Sequence, residues 1–199
     1  MADIKILMMG GRRCGKSSIL ASMVHQLSNN VELCKKYIQI TPYAGEDGTA
    51  KSLEAKRNNL VSFIENKPTG SHYLVDFNAD DKFNKYYFKA KIPKPEGGTY
   101  RGNVKIEIVD CPGECFDTND EDNNIASVEK IEELSRHAQQ SDIFLIIVDT
   151  PYLMDSKSDS GKFMTVNRPD PIKKFIQENV AFKRNDDYKK VVFVPVKCE

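Results

Sequence analysis

The stretch IKILMMGGRRCGKSSIL, Ile4 to Leu20, decides the fold. Ile4 to Met9 is a nearly unbroken apolar run, and continuous rather than alternating apolarity suits a parallel strand covered on both faces. Gly10, Gly11 and Gly15 interrupt it, and Ile19, Leu20, Met23, Val24 and Leu27 then recur at helical spacing as far as Asn29 and Asn30. The reading is strand, glycine loop, helix. Lys16, Ser17 and Ser18 stand at the corner where the loop enters the helix.

Outward from that corner, the composition sets bounds. The chain has 199 residues, 40% apolar and 29% charged, enough for one globular domain with its own core. Basic and acidic residues balance at 29 each, so no net field favours nucleic acid and no nucleic-acid partner is expected. The first strand opens too early for a secretory leader, and no apolar run reaches membrane-spanning length. A cytoplasmic protein without a membrane segment is expected. The five cysteines lack paired CxxC spacing and read as reduced thiols.

Further along, the pattern alternates between strands and helices. Residues 31–70 carry a weaker signal and read as an insertion, with Leu53, Leu60 and Ile64 on one face of a helix between about Thr49 and Asn66. Tyr86, Phe88, Ala90 and Ile92 alternate with polar neighbours, as do Val104, Ile106 and Ile108, and the turn formers of PKPEGGTY between them predict an antiparallel hairpin at a sheet edge. After an acidic loop from Asp117 to Asn124, Ile125, Val128, Ile131 and Leu134 predict a helix ending near Gln140, with His137 facing solvent or supporting the helix end. DIFLIIVD, Asp142 to Asp149, predicts a buried strand. Asp155 to Arg168 reads as a mobile surface loop. Asp170 and Pro171 are the cap and first turn of a helix burying Ile172, Phe175, Ile176 and Val180. The last strand is VVFVPV, Val191 to Val196, where Pro195 is expected to end or kink the pairing. Together these predict one domain over 1–199, a three-layer α/β fold on a mostly parallel sheet with one antiparallel edge hairpin.

Gly10 to Ser17 spells G-x-x-x-x-G-K-S, a pattern suited to phosphates. Main-chain N–H groups at a helix start can close on a polyphosphate only where side-chain bulk is small. Lys16 would set its ammonium against the β- and γ-phosphates, and Ser17 its hydroxyl on Mg²⁺. Arg12, Arg13, Cys14 and Ser18 complete the cradle. The arginines can reach back over the phosphates or turn outward to an acidic neighbour, and the outward reading is preferred. The Cys14 thiol, near a helix N-terminus, is expected to have a lowered pKa, and small-residue filling is its expected role.

A second element lies in IEIVDCPGE, Ile106 to Glu114, where a strand ends in Asp110 and Gly113 follows as D-x-x-G. The aspartate can hold Mg²⁺ through water, and the glycine leaves an N–H free to approach a γ-phosphate. Asp149, ending the strand DIFLIIVD, is the rival for the metal. It lacks the following glycine, so Asp110 is preferred.

GGRRCGKS, then a hairpin, then DCPGE resembles the Ras-like GTPases of the translation-factor class of P-loop proteins, over essentially the whole chain. A looser similarity is to the bacterial double-GTPase group. The resemblance implies a P-loop fold binding GTP and GDP with Mg²⁺, slow hydrolysis without help, and a protein effector or regulator. It places Lys197 and Glu199 of VKCE where the family reads guanine, with glutamate in place of aspartate and valine in place of the polar first residue. Glu114 falls where the family often carries a water-orienting glutamine, so it would position or deprotonate the attacking water. Thr69 is the candidate switch threonine on Mg²⁺, with Thr41, Thr49 and Thr99 as rivals. The family fold continues past the last strand, which implies truncation at the carboxyl end. The alternatives are an ATPase of the same class and a nucleotide-dependent scaffold with negligible hydrolysis.

Overall fold

The computed structural model describes residues 2–12, 14–29, 38–42, 55, 58, 82–92, 102–116, 128–150, 167–180 and 189–196. In chain order the elements are β1 (Ala2–Met9), α1 (Lys16–Asn29), β2 (Gln39–Pro42), β3 (Asn84–Ile92), β4 (Gly102–Asp110), a 3₁₀ turn (Gly113–Phe116), α2 (Val128–Gln140), β5 (Ile143–Asp149), α3 (Pro169–Val180) and β6 (Lys190–Val196). The strands form one six-stranded sheet in the order β2-β3-β4-β1-β5-β6. Among the described ladders, β1 with β5 and β5 with β6 are parallel, and β2 with β3 is antiparallel. The α/β class and mostly parallel sheet agree with the expectation from sequence.

The chain divides into two compact units, 1–4 with 17–80 and 85–107, and 5–16 with 81–84 and 108–199. In the first, Tyr86, Phe88 and Ala90 are buried on alternate positions of β3, as the alternation predicted. The outermost strand there is β2, so the predicted edge hairpin is corrected: β3 and β4 are neighbours, but β2 covers the edge. It went unread because four residues with one buried apolar side chain, Ile40, make no periodic signal, and pairing from Gln39↔Lys91 to Pro42↔Phe88 creates the strand. Pro42 is tolerated because an edge strand has an unused donor side. Ala55 and Asn58 are helical, and the rest of the predicted helix from Thr49 to Asn66 lies outside the described residues.

The second unit holds a core of Leu7, Met9, Val109, Phe116, Leu134, Phe144, Ile146, Ile172 and Phe175, with Phe116 and Phe175 edge to face at 6.0 Å. Leu7, Met8 and Met9 are fully buried, which is what an unbroken apolar strand requires. Asp142, just before β5, ties the middle of β1 to the start of β6. Its N–H donates to Lys5 O at 2.8 Å, its carboxylate accepts from the Lys5 N–H at 2.8 Å, and its carbonyl accepts from the Lys190 N–H at 3.0 Å.

The helix predicted to end near Gln140 forms as α2, and two other local expectations are corrected. Val128 and Ile131 of α2 are exposed, at 73% and 46%, while Leu134, His137 and Ala138 are buried. The buried stripe is therefore rotated from the apolar one, with Leu134 and Ala138 in the core and Lys130 half-buried and paired with Glu114. His137 is buried in the last turn of α2 rather than facing solvent. Its ring lies 5.2 Å from that of Phe83 and its Nε2 is 3.6 Å from Glu133. The last carbonyls of α2 at Ala138 and Gln139 accept from the Lys189 ammonium. The third helix starts at Pro169, the first-turn position that proline prefers, and Asp170 lies inside the first turn rather than capping it.

Pro195 does not end the pairing. The register runs on through Val148↔Pro195 to Asp149↔Val196, because β6 is an edge strand and the missing N–H need not face β5. Phe193 is 65% exposed on that edge.

Candidate functional site

The strand order places β1 between β4 and β5, so the chain leaves β1 for one side of the sheet and later returns to the other. Open α/β sheets bind ligands at the carboxyl ends of strands where the order reverses. The glycine loop after β1 occupies that position, with Asp110 ending β4 and Asp149 ending β5. Both aspartates are buried, and both act electrostatically on the Cys14 thiol. The two metal candidates of the sequence thus converge on one corner.

Within the loop, Lys16 is buried and folded back under the main chain. Its Nζ donates to Gly10 O and Gly11 O, each at 2.9 Å, with the Cys14 sulfur 4.0 Å away. Gly15 has φ +98°, a left-handed conformation that side chains rarely adopt, so glycine is needed there for the backbone alone. Gly10 is needed for space: a Cβ would stand 2.7 Å from Cys14 Sγ and 2.9 Å from Ile147 O. Ser17 is buried in the first turn of α1 and Ser18 half-buried beside it.

The D-x-x-G corner packs directly on this loop. Cys111 N–H donates to Met8 O at 3.0 Å, which ties the corner to β1. A Cβ on Gly113 would meet Arg12 N at 2.5 Å and Gly11 C at 2.8 Å, so the two segments are in main-chain contact. The next residue, Glu114, is mostly buried and held by two cations: Lys130 Nζ at 3.1 Å from Oε2 and Arg12 Nη2 at 3.4 Å from Oε1. Arg12 therefore pairs with an acidic neighbour, as the sequence favoured, and that neighbour is the mostly buried Glu114.

The thiols depart from expectation. Burial raises the Cys14 pKa, and the nearby Lys16 ammonium only partly opposes it, so the helix-start reading of a lowered value is corrected. Burial likewise pushes Cys111 well up, whereas the hydrogen bond from Cys111 holds Cys115 below its ordinary value. The described cysteines, Cys14, Cys111 and Cys115, are free thiols.

Two residues of the corner escaped the sequence reading. Asn167 lies in the stretch read as a mobile loop, yet it is buried: its Oδ1 accepts from the Asp149 N–H at 2.7 Å and its Nδ2 donates to Asp149 O at 3.1 Å. That clamp fixes the carboxyl end of β5. Asn167→Ala is expected to lower stability by about 1–3 kcal/mol, since two buried backbone groups lose partners. Urea unfolding checks this, and an unchanged midpoint would show the clamp to be idle. Lys130 is the other, and nothing in its local sequence marks it as a partner of Glu114.

Of the remaining candidates, Thr41 is exposed on the edge strand β2, paired with Lys89. Arg13, Thr49, Thr69, Thr99, Lys197 and Glu199 lie outside the described residues. Among the described residues no group of three or more His, Cys, Asp or Glu side chains could hold a metal ion. No helix among them is long and apolar enough to cross a membrane. Comparison with protein-family models and with curated proteins gives no match.

Proposed function

We propose that this chain is a Mg²⁺-dependent P-loop GTPase of the Ras-like kind, binding GTP and GDP and acting as a nucleotide-controlled switch with a protein partner. The observation that carries the reading is the loop Gly10 to Ser17, with Lys16 seated on its carbonyls at 2.9 Å and Gly113 in main-chain contact with it. A polyphosphate needs cationic and N–H groups converging at short range, and a helix start with a bulk-free loop supplies them.

The oxygen donors fit magnesium. Ser17, with a hydroxyl at the helix start, and Asp110, with a carboxylate at a strand end, are hard oxygen donors of the kind that would hold it. Mg²⁺, when bound, would offset the negative charge that develops on the phosphoryl group. Lys16 would hold the phosphates from the loop side, and Gly113 would bring its N–H to the γ-phosphoryl group. Glu114 would orient or deprotonate the attacking water, its own charge offset by the cations that grip it. Guanine selection would fall to Lys197 and Glu199.

Displacement of a fluorescent GDP by GTP and by ATP, in Mg²⁺, tests the reading. GTP is expected to compete at least about tenfold better, a difference of about 1.4 kcal/mol. Equal displacement would leave the ATPase reading, and no binding of either nucleotide would end both. Single-turnover hydrolysis then separates a slow enzyme from a scaffold, which would release no phosphate over hours despite intact binding.

A further inference from the structure

Glu114 sits awkwardly for a phosphate site. Its side chain is only 11% exposed, and a buried carboxylate beside the loop would repel an arriving γ-phosphoryl group. Two cations hold it, and they differ in kind. Arg12 belongs to the glycine loop itself, is 46% exposed and stands 3.4 Å from Oε1. Lys130 comes from α2, is 28% exposed and donates to Oε2 at 3.1 Å. Each cation takes its own oxygen, so either can leave without displacing the other. A guanidinium fork matches phosphate as well as it matches carboxylate, whereas an ammonium is a point charge that stays useful wherever its anion is fixed.

We infer that Lys130 is a positioning residue for the triphosphate state: it keeps Glu114 neutralised and in place, so that Arg12 can exchange the carboxylate for the γ-phosphoryl oxygens. This rests on the nucleotide reading above and deepens it. Arg12 trades one anion for another, and no covalent bond changes. Without Lys130, Glu114 loses one of the charges that offset it, so it holds Arg12 more tightly and repels an arriving γ-phosphoryl group more strongly. A diphosphate carries no group there and does not sense the difference.

The test measures affinities of fluorescent GDP and a fluorescent non-hydrolysable GTP analogue for the whole chain carrying Lys130→Met, Lys130→Arg, Glu114→Gln, or Glu114→Gln with Lys130→Met. Lys130→Met is expected to weaken the triphosphate analogue about tenfold and GDP less than about twofold. Lys130→Arg should restore most of the loss. In the Glu114→Gln background, Lys130→Met should have almost no further effect, since the charge it offsets is gone. An equal loss for both nucleotides, or the same loss with glutamine at 114, would reduce Lys130 to a packing role and overturn the inference. If the unaltered chain bound neither nucleotide, the functional reading would fall and take this one with it. Intact binding with a triphosphate preference indifferent to Lys130→Met would sink this inference alone.

Discussion

Lys16→Ala will weaken the binding of GTP and GDP alike by about a hundredfold or more, the scale of a lost charge-assisted contact to phosphate in a buried site. The ammonium already spends two donors on Gly10 O and Gly11 O, at 2.9 Å each. Its remaining contact is the Cys14 sulfur at 4.0 Å, weak enough for a phosphate oxygen to replace it. The same carbonyl contacts mean that the variant loses something even without ligand. Two buried carbonyls lose a partner, a cost of about 1–3 kcal/mol in unfolding free energy. Urea unfolding measures that part separately, and Lys16→Met, which keeps the apolar stem, guards against a packing artefact. A folded Lys16→Ala protein with native affinity for both nucleotides would remove the foundation of the proposed function.

Gly113→Ala is the second large effect. The added methyl would stand 2.5 Å from Arg12 N and 2.8 Å from Arg12 Cα and Gly11 C, all main-chain atoms that cannot swing aside. Either the 3₁₀ turn or the glycine loop must shift, and overpacking of this sort costs about 3 kcal/mol at the upper end of its usual range. The consequence for ligands differs from that of Lys16→Ala. The contact between Gly113 and the loop is what would let its N–H sense a γ-phosphate, so the preference for triphosphate over diphosphate should disappear while GDP binding survives. An unaltered urea midpoint with an intact GTP preference would show that the two segments are not in the contact described.

Much of this corner was legible in one dimension because its constraints are local. A loop that must carry φ +98° at Gly15 advertises itself by glycine, and a strand covered on both faces advertises itself by the run Leu7 to Met9. The alternation of Tyr86, Phe88 and Ala90 is local in the same sense, since a pleated strand turns every second side chain inward. Where the reading failed, the deciding interaction joined residues far apart in the chain. Asn167 looked like loop composition until Asp149 offered it both backbone groups. The buried face of α2 was set in the same way, by core packing that covers Leu134 and Ala138 and leaves Val128 and Ile131 exposed. Cys14 was judged by its helix start, and burial outweighed it.

By itself, then, the order of residues determined the α/β alternation, the glycine loop after β1 and the aspartate and glycine that close β4, because each follows from backbone conformation or side-chain periodicity within a few residues. Tertiary structure alone decided that Asp110 and Asp149 share a corner, that β2 rather than the predicted hairpin forms the edge, and that Glu114 is gripped by Arg12 and Lys130. Those outcomes depend on strand order and on burial, which convert distant charges into neighbours and remove the water that would otherwise screen them.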